Sequence, residues 1–307
     1  MPPQLNNELK DGNMTNTEVN PSAGWRMKVA AFSLAVSIFT ALWFVIAALG
    51  TKFGLWTWQT GLLQMTGKIG APLAFSALGL SLIAQVIALI KFPRKQAFII
   101  ALAATLLAAY STGRLIAMKM QSETVPPIHD IQTDWDAPIG FSETLMAARN
   151  ADGESNPVVD APVIDDDRLP DVLQGRLVAE IQEQAEAQET GKGTVYPPLQ
   201  PLFFSTSPSE VAGLVERIIS KKGWSIVTPM PSDPDSGEEF QIEATATSGW
   251  FGFKDDVAIR IRPVEGAVRV DMRSVSRVGI SDLGANSKRI SGFMNELRDR
   301  GDGRVSP

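Results

Sequence analysis

Residues 240–275 read FQIEATATSGWFGFKDDVAIRIRPVEGAVRVDMRSV, and their alternation decides the fold. Phe240, Ile242, Ala244, Ala246, Val257, Ile259, Ile261, Val268, Val270 and Met272 collect on one face when each run is read with a period of two. Gln241, Glu243, Thr245, Thr247, Arg260, Arg262, Arg269, Asp271 and Arg273 fall on the other. Successive side chains on a strand point to opposite faces, so the pattern predicts an antiparallel sheet with one apolar and one polar face. Strands are expected at 224–228, 240–248, 256–262 and 267–275.

Two amphipathic helices can cover the apolar face. The first opens at Ser207-Pro208, a hydroxyl cap followed by a proline at the first helical position, and stops at Gly223. Its stripe is Val211, Leu214, Val215, Ile218 and Ile219. The last helix is expected from about Asp282 to Arg300, capped by Ser281, with Leu283, Ile290, Phe293 and Leu297 buried. Leu173, Leu177, Ile181 and Ala185 recur every fourth residue and predict a further helix of about five turns, mildly interrupted by Gly175. The fold class of this half is α+β, a two-layer sandwich of a four-stranded antiparallel sheet and helices.

The N-terminal part has a different composition. Residues 29–50, 69–90 and 96–113 carry no charge, and each approaches the roughly 20 residues that cross a hydrocarbon core. None has the polar stripe of a soluble surface helix. Arg26 and Lys28 precede the first run, and Lys91, Arg94 and Lys95 crowd the turn between the second and third; the first loop has Lys52 and Lys68. The positive-inside rule then places the N-terminus and the KFPRK turn in the cytoplasm and everything after Met120 across the membrane. Trp43, Trp56 and Trp58 fall near the outer end of the first span, where indoles favour the headgroup layer. The spans contain no carboxylate, the usual mark of an ion pathway, which favours an anchor over a transporter.

The expected organisation is therefore a disordered cytoplasmic tail at 1–26 and a three-helix transmembrane anchor at 27–118. An acidic linker with a docking turn follows at 119–168, and an exported α+β domain at 169–307. From Glu123 to Lys192 there are 16 acids against 4 bases, and residues 121–168, rich in Pro, Asp and Asn, read as an irregular acidic connector. The expected location is the bacterial inner membrane, with the domain periplasmic or otherwise extracytoplasmic. The partners expected are the lipid bilayer and an envelope protein or lipid. No basic tail points to nucleic acid.

The chain has no cysteine and one histidine, His129. Disulfides, thiolate sites and multi-histidine metal sites are excluded, and no cofactor or metal is expected. His129, Asp130, Asp134 and Asp136 read as a solvated turn before they read as ligands. Chemistry concentrates elsewhere. From Lys254 to Arg289 there are 8 bases against 5 acids, set among glycines and aromatic residues in TSGWFGFKDD and RSVSRVGISDLGANSKR. The candidate binding residues are Asp255, Asp256, Arg273, Ser276, Arg277, Asp282, Asn286 and Arg289. Arginine forks near a helix start suit an anion or polar headgroup. The plainer reading is an internal network, Asp255, Asp256 and Asp282 against those arginines, that fixes the turns. No catalytic residue is assigned: Ser274 and Ser276 have no histidine near them in sequence, and Asp255 and Asp256 are strand neighbours that point apart.

The segments PPIHDIQTD, YPPLQPL, GW, IEATATSGWFGFKDDVAIRIRP and RVDMRSVSRVGISDLGANSKRI occur in that order and resemble the domain-of-unknown-function family numbered 1499. The resemblance covers roughly residues 126–298, and bacterial members share the arrangement of a few apolar spans before this domain. It implies the domain limits and makes the eight candidate residues its matching motif positions. Some relatives enter the domain with a cysteine; here His129 and Asp130 stand in that region, so a redox role does not transfer.

The leading expectation is a non-enzymatic, membrane-tethered envelope protein whose domain binds a partner, lipid headgroup or small anion. The alternatives are an envelope lipid or glycan hydrolase using Asp255 or Asp256, and a structural subunit of a membrane complex.

Overall fold

A computed structural model describes residues 21–90, 94–153, 155–191 and 193–306. The first 20 residues of the expected tail, and Lys91 of the basic turn, lie outside the described residues. The chain divides into two compact units: residues up to Phe44 with Gly67–Gly113, and Val45–Thr66 with Arg114–Pro307.

The first unit is helical. Helix α1 (Pro21–Lys52) begins inside the expected tail, a π-type helical segment (Gln59–Gly70) leads into α2 (Ala71–Ile90), and α3 spans Lys95–Thr124; the end of α1, the segment up to Thr66 and the end of α3 belong to the second unit. Three helices, Gly24–Lys52, Gln59–Ile90 and Lys95–Thr124, are long and apolar enough to cross a membrane. Some of their small residues face inward: Ala30, Ala84, Ala88, Ala97 and Ala101 form one buried cluster, which permits close helix approach, while Gly79, Ala103 and Ala109 are exposed. Ser33 and Ser37 are buried but return their hydroxyl protons to the carbonyls of Ala30 and Ser33. Phe32, Phe39, Ile83, Val86 and Leu106 are exposed, the outward apolar surface that lipid contact requires.

The second unit is the α+β domain. The expected strands are present as β5 (Ser225–Thr228), β6 (Phe240–Thr247), β7 (Lys254–Val264) and β8 (Ala267–Ser276), all antiparallel neighbours. Two short strands that the sequence did not announce, β1 (Asp130–Gln132) and β4 (Leu202–Phe204), pair one after the other along the free edge of β8. The sheet therefore has six strands rather than four, in the order β1-β8-β7-β6-β5 with β4 beside β1. A separate ribbon pairs β2 (Glu189–Thr190) with β3 (Gly193–Thr194).

Helices α6 (Pro208–Lys221) and α7 (Ala285–Gly301) cover the apolar face. Ser207 caps α6 as expected, its hydroxyl oxygen accepting from the Glu210 N–H. Val215, Ile218, Phe293 and Leu297 pack on Ile242, Ile259, Ile261 and Met272, and Trp224 stacks on Phe293. Helix α7 starts three residues later than expected. Leu283 has φ +53 and Gly284 φ +75, which end any helical run before Ala285. The helix start is held by Asp282 rather than Ser281: its carboxylate accepts from the N–H groups of Gly284 and Asn286, both at 2.7 Å.

The expected five-turn helix is shorter. A single turn at Asp171–Leu173 is separated from α5 (Val178–Ala187) by Gly175, whose φ of +72 belongs to the left-handed region. The buried stripe is Val178, Ile181, Gln182 and Ala185, and Leu177 is exposed. The largest correction concerns the acidic connector. Besides β1 it supplies α4 (Glu143–Ala151), capped by Ser142, and it buries Ile128, Ile131, Ile139 and Leu145. It lies over the polar face of the sheet, so the middle of that face, Glu243, Thr245, Arg260, Asp271 and Arg273, is buried too.

Two side-chain and terminal contacts complete the sheet margins. The Gln182 amide donates to the Gln132 carbonyl at 2.8 Å and accepts from the Gln132 N–H at 3.2 Å. Beyond β4, Phe203 and Arg304 exchange two backbone hydrogen bonds of 2.7 and 2.9 Å.

Candidate functional site

Strand parity distributes five of the eight candidate residues over two faces, and Asp282, Asn286 and Arg289 lie at or on α7. Asp255 and Ser276 share the side of Val257 and Val270 and meet α7. Asp256, Arg273 and Arg277 share the side of Ala258 and Asp271 and meet the connector. The sheet lies between Arg289 and the other two candidate arginines, so the three do not converge on one pocket.

On the connector side, Arg273 is fully buried and grips Asp130 with two parallel bonds, Nε to Oδ1 at 2.9 Å and Nη2 to Oδ2 at 2.5 Å. Its remaining N–H groups donate to the carbonyls of Ile139 and Val159, each at 2.7 Å. The guanidinium lies 5.8 Å from the Trp135 ring centroid. Bidentate geometry of this kind is the strong form of the arginine–carboxylate pair. Arg277 grips Asp256 in the same way, with Nε and Nη2 both at 2.8 Å, and also reaches Asp152.

Asp256 has a second cation, Arg149 of α4, whose Nη1 stands at 2.6 Å, and it accepts from Thr245 Oγ1 at 2.6 Å. Burial draws the Arg149 guanidinium below its ordinary pKa, against the upward pull of Asp256. For Arg277 burial pulls down, and Asp256 and Asp152 outweigh it, leaving the group more firmly protonated. Burial also raises Asp152, but Lys254 and Arg277 prevail and hold its carboxyl below the usual range.

Along the same face, Asp271 collects Arg260 at 3.2 Å and Arg269 at 3.0 Å, and Asp134 also pairs with Arg269. Asp130 and Asp134, the conceivable ligands of the 129–136 turn, are thus engaged by arginines. Buried Glu243 has hydrogen-bond donors instead: the Ser142 N–H at 2.7 Å, the Ser142 hydroxyl, Thr228 Oγ1 at 2.6 Å and Gln241 Nε2 at 2.9 Å.

On the α7 side, Arg289 pairs with Asp255 and donates to Asn286. Asn286, fully buried, donates to the His129 carbonyl at 2.9 Å and to Ser276 Oγ at 3.0 Å, and accepts from Ser274 Oγ at 2.7 Å. Burial pushes the Asp282 carboxyl up to about 6, assisted by Asp255 and opposed by Arg289 and two backbone N–H groups. Burial lowers the His129 imidazole, which Asp130 only partly offsets. Burial and Asp282 drive the Tyr196 phenol strongly upward, and its hydroxyl is buried without a hydrogen-bond partner.

The sequence reading missed Arg149, Asp130 and Asp152 as members of this network. Arg149 carried one usable signal: it is a rare base inside the acidic connector. An open cleft bearing arginines lies elsewhere in the domain. A cleft of about 600 Å3 between the start of α6 and the end of α7 is lined by Ser205, Ser209, Arg217, Arg300 and Arg304, with Glu210 and Asp302 on its wall.

Fold and network together define a class: apolar helices of membrane-crossing length followed by an α+β domain pinned internally by arginine–aspartate pairs. Residues 130–297 match the family described as "Protein of unknown function (DUF1499)", and the chain belongs to that family. Comparison with curated proteins gives no match.

Proposed function

We propose that this chain is a membrane-anchored protein of the bacterial cell envelope, with its N-terminus in the cytoplasm and its α+β domain beyond the inner membrane. The domain acts as a non-enzymatic recognition module for a partner, a lipid headgroup or a small anion. One observation carries the non-enzymatic reading: Asp255 and Asp256 lie on opposite faces of the sheet, and each is held by arginine. Two carboxylates dividing acid and base roles on one substrate must share one face, and arginine engagement of each weighs against a hydrolase that uses either one. A complex-forming subunit would be favoured by open small-residue faces; Gly70, Ala74, Ala77, Ala104 and Ala108 are buried, and Ala103 is exposed.

The binding reading moves with the geometry from the closed network to the cleft of Arg217, Arg300 and Arg304, where guanidinium groups and serine hydroxyls match phosphate-like oxygens. Thermal unfolding of the full chain in detergent micelles, with inorganic phosphate or glycerol phosphate added, tests it. A ligand at about 100 times its Kd stabilises by roughly 2.7 kcal/mol, and Arg217→Glu with Arg304→Glu should abolish that gain. An unchanged melting temperature with both ligands, and no co-purifying partner, would sink the reading. Orientation is read separately by impermeant maleimide on intact cells: a cysteine at Glu265 should label and one at Asn6 should not.

A further inference from the structure

The tip of the β6–β7 hairpin, Ser248–Phe253, is the aromatic sequence SGWFGF. It closes on itself, with the Ser248 N–H donating to the Phe253 carbonyl and the Phe253 N–H to Ser248 Oγ, both at 2.8 Å. Phe251 and Phe253 stack at 5.5 Å, while Trp250 projects outward at 62% exposure. The tip is fastened to the end of α1 within the same compact unit: Lys52 Nζ donates to the Gly249 carbonyl at 2.9 Å, and Phe253 meets the Trp58 ring edge-on at 6.4 Å. Gly252 is required here twice over. Its φ is +72, and an added Cβ would stand 3.1 Å from Lys52 Cα. Beside this junction Phe53 and Leu55 are 71% and 73% exposed.

These contacts fix a depth. The uncharged run of α1 ends at Gly50, so Lys52 lies only about 3 Å further along the helix axis. A turn bonded to Lys52 therefore sits where a crossing helix leaves the hydrocarbon. A second tie agrees: Gln121 Nε2 of α3 donates to the Leu283 carbonyl at 2.5 Å, and Gln121 lies about 12 Å beyond the end of its apolar run at Gly113. Both ties lie within one compact unit, on residues that directly follow the apolar runs of α1 and α3.

We infer that the hairpin tip, with Phe53 and Leu55, is a membrane-contact surface. Trp250 is seated at the boundary between headgroups and acyl chains of the bilayer that the helices cross. The partner is the lipid surface because the patch continues directly from an apolar helix and combines exposed aromatic and aliphatic side chains with Lys52, the composition favoured at that boundary. Its role is to hold the domain at a set height and tilt. The inference rests on the membrane-anchored reading of the helices.

The chain has no cysteine, so single sites can be labelled cleanly. The full chain is reconstituted into phosphatidylcholine–phosphatidylglycerol vesicles with a fluorescent nitrobenzoxadiazole probe on Trp250→Cys, Phe53→Cys, Glu265→Cys or Leu106→Cys. Glu265, at the far end of β7, is roughly 33 Å along the strand from the tip. The probes at 250 and 53 should be quenched by doxyl groups near the headgroup end of the acyl chain, at least about twofold more than by doxyl near its methyl end. The probe at 265 should respond only to aqueous iodide, and the probe at 106 should be quenched deep in the bilayer. Iodide quenching at 250 and 53 like that at 265, with 106 still quenched by lipid, would leave the anchor standing and overturn the membrane-contact surface. Protection of 250 and 53 from both quenchers would mean a protein covers the patch, and would overturn it as well. No lipid quenching at 106 would remove the anchor itself and this inference with it.

Discussion

The two faces of the domain's sheet are both buried, by opposite chemistry. Against one lie α6 and α7, with Val215, Ile218, Phe293 and Leu297 meeting Ile242, Ile259 and Met272. Against the other lies the connector from β1 through α4, joined by Arg149, Arg273 and Arg277 to Asp130 and Asp256. The apolar face gains from removing hydrocarbon from water and tolerates small displacements. The charged face gains only when each ion meets its partner with full hydrogen bonding, because desolvation otherwise exceeds the attraction. One layer supplies cohesion and the other fixes the position of its cover. A polar parity in a strand is therefore no guarantee of a wet face.

The contrast can be broken most severely at Arg273. Arg273→Ala leaves Asp130 buried without its cation, and the expected loss is about 3–5 kcal/mol, read by denaturant unfolding of the full chain in micelles. Replacing both partners, Asp130→Leu with Arg273→Met, should recover more than half of that loss, because no lone charge remains. If the double variant is as unstable as the single one, the face is held by packing and not by charge compensation.

A smaller effect separates the faces by pH. Asp282, at the entrance to α7, has its carboxyl raised to about 6. A folded-state value above the unfolded one, near 4, means that the native state holds the extra proton between these two values. This group's contribution to stability therefore falls as pH rises from about 4 to 6 and stays low above that. Lowering the pH from 7.5 to 5 should raise the melting temperature by about 2–4 °C through this group, and Asp282→Asn should flatten the slope. A slope unchanged in the variant would assign it elsewhere.

The smallest expected effect lies at the rim of the charged face, where Lys254 meets Asp152 at 2.7 Å with both side chains over a third exposed. Lys254→Ala should cost about 0.2–1 kcal/mol and the difference should shrink in high salt. The depressed Asp152 carboxyl gives the opposite pH sign to Asp282. Its contribution is present above the unfolded value near 4 and lost as pH falls through its folded value.

Much of this architecture is legible in the chain. The parity of β6, β7 and β8 gives the sheet and both its faces, and the same parity alone separates Asp255 from Asp256. Ser207-Pro208 marks the start of α6 by a mechanism that operates there. What escapes is short or non-local. Strands of three residues, DIQ and LFF, cannot display a period of two. The connector looks solvent-like because its acids outnumber its bases, yet Asp130 and Asp134 find their cations more than 130 residues away. The candidate residues stand out in the sequence as a group, but their division between faces depends on partners such as Arg149, which no local pattern ties to Asp256. The spacing of Leu173, Leu177 and Ile181 is helical, and Gly175 overrides it by adopting a conformation other residues avoid.

The Gln182 amide bonded across β1, and the backbone bridge from Arg304 across β4, have a consequence for a chain with helices of membrane-crossing length. Molecules confined to a bilayer meet one another repeatedly in similar orientations, the condition under which unpaired strand margins polymerise. Here one margin is occupied by a side chain and a chain end, and the opposite one, β5, is four residues long and broken by an irregularity between Ile226 and Thr228. The domain can be crowded in two dimensions without offering its neighbours a template.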